Sequence, residues 1–204
     1  MDREKFLKAL ENKGYKASYF ETGNQAADYL CSVIKDCTVG FGGSRTVIDE
    51  LGMVERLAEH NVCICPEQPY RPKDKTFNEA ALDTLRTDVF LLSVNGAAED
   101  GTLVNIDGTG NRVGSSLFGH KKVFFVFSEN KVMPTVNDAV ERAKNVASPR
   151  NAVFLECRTP CAVKGDKCYD CSSPDRICNA MVLYLHAMEG TEMEVVLIGE
   201  PLGY

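Results

Sequence analysis

The sequence predicts an α/β fold, with a mostly parallel sheet and helices on both faces, and three observations carry that prediction. Segments of helical and of strand period alternate along the chain, the pattern of successive βαβ units. The segments Thr38 to Phe41, Val89 to Val94 and Val123 to Phe127 are compact apolar runs, as parallel strands covered on both sides require. A chain of 204 residues with 44% hydrophobic and 25% charged side chains can bury a sizeable core and is short for two full domains, so residues 1–204 read as one domain.

The elements follow in order. Phe6, Leu7 and Leu10 mark one face of a helix from Asp2 to Lys13, and Lys16 to Phe20 reads as a short strand. Ala27, Leu30, Cys31 and Ile34 give helical spacing to Asn24 to Lys35, before the strand Thr38 to Phe41. Gly42-Gly43-Ser44 breaks that strand. Val47, Leu51, Val54 and Ala58 predict a helix over Thr46 to Glu59, with a strand at Val62 to Cys65. Pro66, Pro69 and Pro72 then force a loop, and Asn78 to Arg86 is a further helix.

After the strand Val89 to Val94 a polar loop begins at Asn95. Thr102 to Ile106 reads as a short strand beyond the Asp100-Gly101 turn, and Gly108 to Gly114 leads into a helix near Ser115. The strand Val123 to Phe127 precedes a helix over Thr135 to Ala147. A cysteine-rich loop comes next, then a last helix from Asp175 to Met188, a closing strand from Met193 to Ile198 and a tail to Tyr204.

The net charge of −6 offers no basic excess to a phosphate backbone, so nucleic acid is not an expected partner. No apolar run reaches the roughly 18 residues of a membrane span, and Met1-Asp-Arg-Glu-Lys is polar where a secretory signal is apolar, so a cytoplasmic protein is expected.

Ligands of open parallel sheets bind beyond the carboxyl ends of the strands, which directs attention to the loops there. Gly42, Gly43, Ser44 and Arg45 link a buried strand to a helix. Their backbone amides and the guanidinium suit an anion, and the alternative is a tight turn capped by Ser44. No nucleotide fingerprint is present. From Asn95 to Arg112 polar chemistry is concentrated: Glu99 and Asp100 as candidate catalytic carboxylates, Asn95, Asn105, Gly108, Gly110 and Asn111 around a ligand, and Arg112 as a second anion contact. The alternative for Glu99-Asp100-Gly101 is a solvated hairpin turn. His120, just after this loop, is the one histidine weighed as a ligand contact.

Five of the nine cysteines fall between Cys157 and Cys178. Cys161, Cys168, Cys171 and Cys178 are separated by six, two and six residues, with one tight C-x-x-C pair between two single cysteines. Four thiolates can hold a four-iron four-sulfur (4Fe-4S) cluster or a zinc ion, or remain free thiols. A zinc ribbon ordinarily presents two tight pairs, so the spacing favours iron. Cys157 is left over, and Cys31, Cys37, Cys63 and Cys65 read as small hydrophobes of the core.

The motifs TVGFGGS at Thr38 to Ser44, EDGTLVNIDGTGNR at Glu99 to Arg112, ENKV at Glu129 to Val132, SPRNA at Ser148 to Ala152, TPC with CYDCSSPDRIC, and VVLIGEPLGY resemble, in order and spacing, the LUD (lactate utilisation) domain family over nearly the whole chain. The resemblance implies a Rossmann-like three-layer fold of the ribose-5-phosphate isomerase, glucosamine-6-phosphate deaminase and coenzyme A transferase group. It also implies a part in oxidising L-lactate to pyruvate beside iron-sulfur and oxidoreductase protein partners. The subset of the family with the cysteine motif implies a 4Fe-4S cluster at Cys161, Cys168, Cys171 and Cys178, and Arg45 or Arg112 would hold the substrate carboxylate. Two other readings stay open: a binding or assembly module with a structural metal, and an acyl or sugar-phosphate enzyme using Glu99. Whether the chain forms a homo-oligomer also stays open.

Overall fold

The computed structural model describes all 204 residues. Six parallel strands form the main sheet in the order β1-β10-β7-β4-β2-β3: β1 is Lys16–Phe20, β2 Thr38–Phe41, β3 Val62–Ile64, β4 Val89–Leu92, β7 Lys122–Ser128 and β10 Glu192–Ile198. Alternate residues of the central strands point to opposite faces, and both faces are dry. Leu91, Phe124, Val126 and Val196 enter one core, with Ala27 and Leu30 of α2 (Gly23–Val33) and Met53 and Leu57 of α3 (Met53–Ala58). Phe90, Leu92, Phe125 and Val195 enter the other, with Phe6 and Leu10 of α1 (Arg3–Asn12). Burial on both sides explains why these strands are continuous apolar runs in the sequence.

The second core is closed by a smaller sheet that the sequence did not disclose. Its order is β8-β5-β6-β9, with β5 at Gly96–Ala98, β6 at Leu103–Asp107, β8 at Val132–Met133 and β9 at Ala180–Tyr184. β5 and β6 form an antiparallel hairpin, and β9 pairs antiparallel with β6, Asn105 opposite Val182. Its outer face packs through Ala98 and Val104 on Ala139 and Ala143. The arrangement is a three-layer α/β fold, a mostly parallel six-stranded sheet flanked by helices.

Several expected elements are corrected. The helix expected over Asp175–Met188 is absent: residues 180–184 are strand β9, and its flanks are irregular. AMVLY is a short apolar run that periodicity alone cannot assign, and the open edge of β6 decides it by supplying hydrogen-bond partners. The single helix expected from Thr46 to Glu59 is two pieces, a π-helical turn at Thr46–Glu50 and then α3. Gly52 between them takes a left-handed conformation, φ 60°, that interrupts helical hydrogen bonding. The helix expected to end at Ala147 instead runs from α6 (Val136–Arg142) through a π-helical turn at Ala143–Ala147 into α7 (Ser148–Phe154). Pro149 is tolerated in the first turn of α7, where its missing N–H costs least. Three helices remain: α4 at Phe77–Thr84, α5 at Asn111–Leu117 and α8 at Pro160–Lys164. No helix is long and apolar enough to cross a membrane.

Candidate functional site: a cationic cleft beside a cysteine cavity

The chain runs outward from β2 to β3, returns to β4 beside β2, and continues to β7 and β10 on the other side. A cleft of about 300 Å³ opens over the carboxyl ends of β2, β4 and β7, where that change of direction leaves a crevice. One wall is the β2 loop: Gly43, Ser44 and Arg45. Ser44 is buried, and its Oγ accepts a hydrogen bond from the Val47 N–H at 3.3 Å, so the capping reading of this residue holds. Arg45 pairs with Asp49 at 2.9 Å and lies over the Phe154 ring at 3.8 Å, which fixes its guanidinium at the mouth.

The opposite wall is Asn95, between β4 and β5, with Gly108, Asn111 and Arg112 of the segment after β6. Arg112 is held by its neighbours: Nη2 donates to Asn95 Oδ1 at 3.2 Å and to the Ile106 carbonyl, and Nε is 3.9 Å from Asp107 Oδ2. Asp107 in turn accepts from the N–H groups of Thr109, Gly110 and Val113 at 3.0–3.1 Å. Its carboxylate charge is thus spread over the start of α5, and the Arg112 guanidinium remains available to a ligand.

Three expected ligand residues do not line the cleft. Asn105 is fully buried, and its side chain accepts from Asn95 N–H at 3.0 Å and donates to the Ser93 carbonyl at 3.2 Å, so it shapes the loop from behind. Gly42 packs against the Arg112 stem, and Gly110 precedes α5 in a left-handed conformation. Glu99 and Asp100 also lie outside. The β5-β6 hairpin carries them to its turn, where Asp100 accepts from Thr102 N–H at 2.9 Å and sits 3.7 Å from Lys13 Nζ. Glu99 Oε1 is 3.9 Å from the Met1 ammonium. His120 is a core residue, with Nδ1 2.7 Å from the Thr87 carbonyl oxygen and its ring stacked on Phe90.

The cleft also holds groups that sequence reasoning missed. Lys131, only 4% exposed, stands just beyond β7 with Nζ 3.1 Å from Ser93 Oγ and 3.4 Å from Thr46 Oγ1. Burial pushes its pKa down to about 7, with Arg142 and Arg112 adding to the effect and Glu50 opposing it. Glu67, from the proline-rich loop, faces Gly43, and burial raises its carboxyl above the ordinary value. Tyr204 of the tail lines the cleft and donates to Asn151 Oδ1 at 3.0 Å. Lys131 follows a buried parallel strand as Asn95 does, and that position was the signal available for it.

All nine cysteines are free thiols. Cys161, Cys168, Cys171 and Cys178 line one small apolar cavity, and Cys157 lies outside it. Arg176 ties the loop together by donating to the carbonyls of Cys171 at 2.6 Å and Cys178 at 3.0 Å. The Asp170 N–H points to Cys168 Sγ at 3.4 Å, and Thr159 Oγ1 is 3.2 Å from Cys161 Sγ. Burial raises the Cys178 thiol, and Arg176 draws it back. No three His, Cys, Asp or Glu side chains are arranged to hold a single metal ion. Ser148 and Ile177 line both this cavity and the cleft, so the two sites share a wall.

A family model described as the LUD domain matches residues 3–198. Among solved structures the chain is similar to a DUF162 family protein from Deinococcus radiodurans, with 14% identity and a TM-score of 0.55 over 97% of this chain and 96% of that one. It is also similar in part to ribose 5 phosphate isomerase A from Neisseria gonorrhoeae, with 14% identity and a TM-score of 0.38 over 66% and 63% of the two chains. The first likeness is one of fold. No curated protein matches the chain.

Proposed function

Because the chain belongs to the LUD domain family, we propose that it takes part in redox conversion of a small hydroxy or keto acid such as L-lactate or pyruvate, with a 4Fe-4S cluster on Cys161, Cys168, Cys171 and Cys178. The observation that carries this reading is the shared wall: four free thiols line one cavity, and Ser148 and Ile177 line both it and a cleft that also holds Arg45, Arg112 and Lys131.

The donor set is four free cysteine thiols around one cavity, and the spacing of one tight C-x-x-C pair between two single cysteines favours a cluster over zinc. N–H groups aimed at sulfur, as from Asp170, and cations beside it, as Arg176, stabilise thiolate charge. When bound, such a cluster supplies single-electron transfer.

The cleft residues bind and orient. Arg112, already fixed by Asn95 and Ile106, offers its remaining N–H donors to a carboxylate, and Arg45 supplies a second cation at the mouth. Ser93 and Thr46 hydroxyls lie at the floor beside Lys131, within reach of a substrate hydroxyl or carbonyl oxygen. An acidic chain needs such a local concentration of positive charge to hold an anion at all. Electron exchange at the cysteine loop calls for iron-sulfur and oxidoreductase protein partners, and free thiolates call for a reducing, cytoplasmic setting. Glu99 stands outside the cleft, so no acyl-transfer step is assigned to it.

The test is iron and acid-labile sulfide content on protein purified without oxygen, together with pyruvate and lactate binding. About four irons and four sulfides per chain, and a loss of about 10- to 100-fold in carboxylate affinity in Arg112→Ala, are expected. Zinc at one per chain, or unchanged affinity in that variant, overturns the corresponding half of the proposal.

A further inference from the structure

We propose that Lys131 is a nucleophile, its amine adding to the carbonyl carbon of a small 2-oxo acid held in the cleft to form an imine. This rests on the carboxylate-binding reading of the cleft and adds a covalent step that needs no electron partner.

The case begins with where the amine sits. Lys131 is almost wholly buried, yet it lines the cleft, and its Nζ hydrogen-bonds only to the hydroxyls of Ser93 and Thr46. No carboxylate pairs with it. A lysine removed from water without an anion favours its neutral form, which is the nucleophilic one. The charged groups around it come from three elements. Glu50, in the π-helical turn after β2, favours the ammonium, while Arg142 of α6 and Arg112 of α5 disfavour it. The balance favours the neutral amine relative to an exposed lysine. From the tail, the Gly203 backbone approaches Nζ and Tyr204 lines the cleft.

The rest of the cleft supplies what an imine requires. A carboxylate on Arg112 fixes the orientation of the adjacent carbonyl, so that attack becomes an intramolecular event. The nitrogen lone pair forms the N–C bond as the carbonyl π pair moves to oxygen, and one proton passes from nitrogen to that oxygen. The hydroxyl of this carbinolamine must then leave as water. Glu67 lines the same cleft, and it relays the proton this requires from solvent to the departing hydroxyl. The neutral amine, the carbonyl and one solvent proton give a protonated imine and water, with Glu67 restored and no electron gained or lost.

The experiment mixes the intact chain with pyruvate at about pH 8 in sodium cyanoborohydride, which reduces an imine to a stable secondary amine, and maps the modified lysine by mass spectrometry. Pyruvate binding is measured in parallel by saturation-transfer NMR. The expected result is an adduct on Lys131 forming at least about tenfold faster than on exposed lysines such as Lys121, absent from Lys131→Arg and slowed about 100-fold in Glu67→Gln. Circular dichroism on both variants, with retained pyruvate binding in Glu67→Gln, separates these effects from misfolding. Binding with no adduct on Lys131, or adducts spread evenly over the lysines, overturns the imine and leaves the cleft reading standing. Absence of pyruvate binding overturns both.

Discussion

Gly108 and Ile177 touch backbone to backbone: a methyl group on Gly108 would stand 2.8 Å from the Ile177 carbonyl oxygen. Gly108 belongs to the cleft and Ile177 to both cleft and cysteine cavity. The join is reinforced by Asn179, whose N–H donates to the Asp107 carbonyl at 2.9 Å and whose side-chain amide donates to the Gly108 carbonyl at 3.0 Å. The cysteine loop is thereby registered against the wall that carries Arg112.

Gly108→Ala is therefore expected to displace the cysteine loop while sparing the main sheet. Backbone atoms cannot rotate away as a side chain can, so the cost is about 1–3 kcal/mol, read as a fall of several degrees in Tm. Iron bound per chain should drop to less than about half the original. Unchanged Tm and iron content would show that the loop is placed independently of this contact.

The cavity discriminates among the five clustered cysteines. Cys157 lies outside it, its Sγ turned to the Leu155 carbonyl at 4.0 Å, so under the proposed cluster reading Cys157→Ser should keep the iron content of the unaltered chain. Cys171→Ser should lose most of it, because a hydroxyl is a poor replacement for thiolate at iron. Visible absorbance and iron analysis on the two variants decide the matter, and the reverse order would assign Cys157 to the ligand set.

Glu194 is wholly buried at the start of β10, where it accepts from Tyr29 at 2.6 Å and Ser18 at 2.8 Å. Its second oxygen receives no well-directed hydrogen bond, and Lys122 and Lys16 ammonium groups balance it at 3.0 and 3.3 Å. Burial alone raises this carboxyl, but the donors Tyr29, Lys122 and Ser18 together hold it below its ordinary value. A carboxylate depressed on folding stabilises the protein above its unfolded pKa, near 4.5, and that contribution is lost as pH falls through the folded value. Lys122→Met should cost on the order of 3 kcal/mol at pH 7 by stranding the charge. Urea midpoints from pH 7 downward test this, and a variant penalty that does not shrink in acid would assign it to packing.

Lys131 carries the opposite sign. Its folded pKa of about 7 lies below the ordinary 10.5, so the charged form is the disfavoured one. The penalty is complete below pH 7, shrinks between there and 10.5, and is gone above. Lys131→Met should then raise stability at pH 6 by on the order of 2 kcal/mol, with the gain vanishing in strong alkali. A Tm difference independent of pH would assign the effect to packing instead.

The sequence by itself determined the parallel sheet, because strands buried on both faces must be written as unbroken apolar runs such as VFLL and VFFVF. It also marked the two loops that became opposite walls of the cleft, since glycine and polar residues after a buried strand are a local signal. The cysteine spacing was equally visible. The tertiary structure alone decided that β9 is a strand, because only the free edge of β6 distinguishes AMVLY from a helical segment. It alone carried Glu99 and Asp100 away from the cleft, through the pairing of β5 with β6, and brought in Glu67, Lys131 and Tyr204 from segments 64 and 73 residues apart in the chain. Periodicity reports what each segment buries, whereas strand order sets which loop ends meet, and strand order is fixed by long-range pairing that no local pattern records.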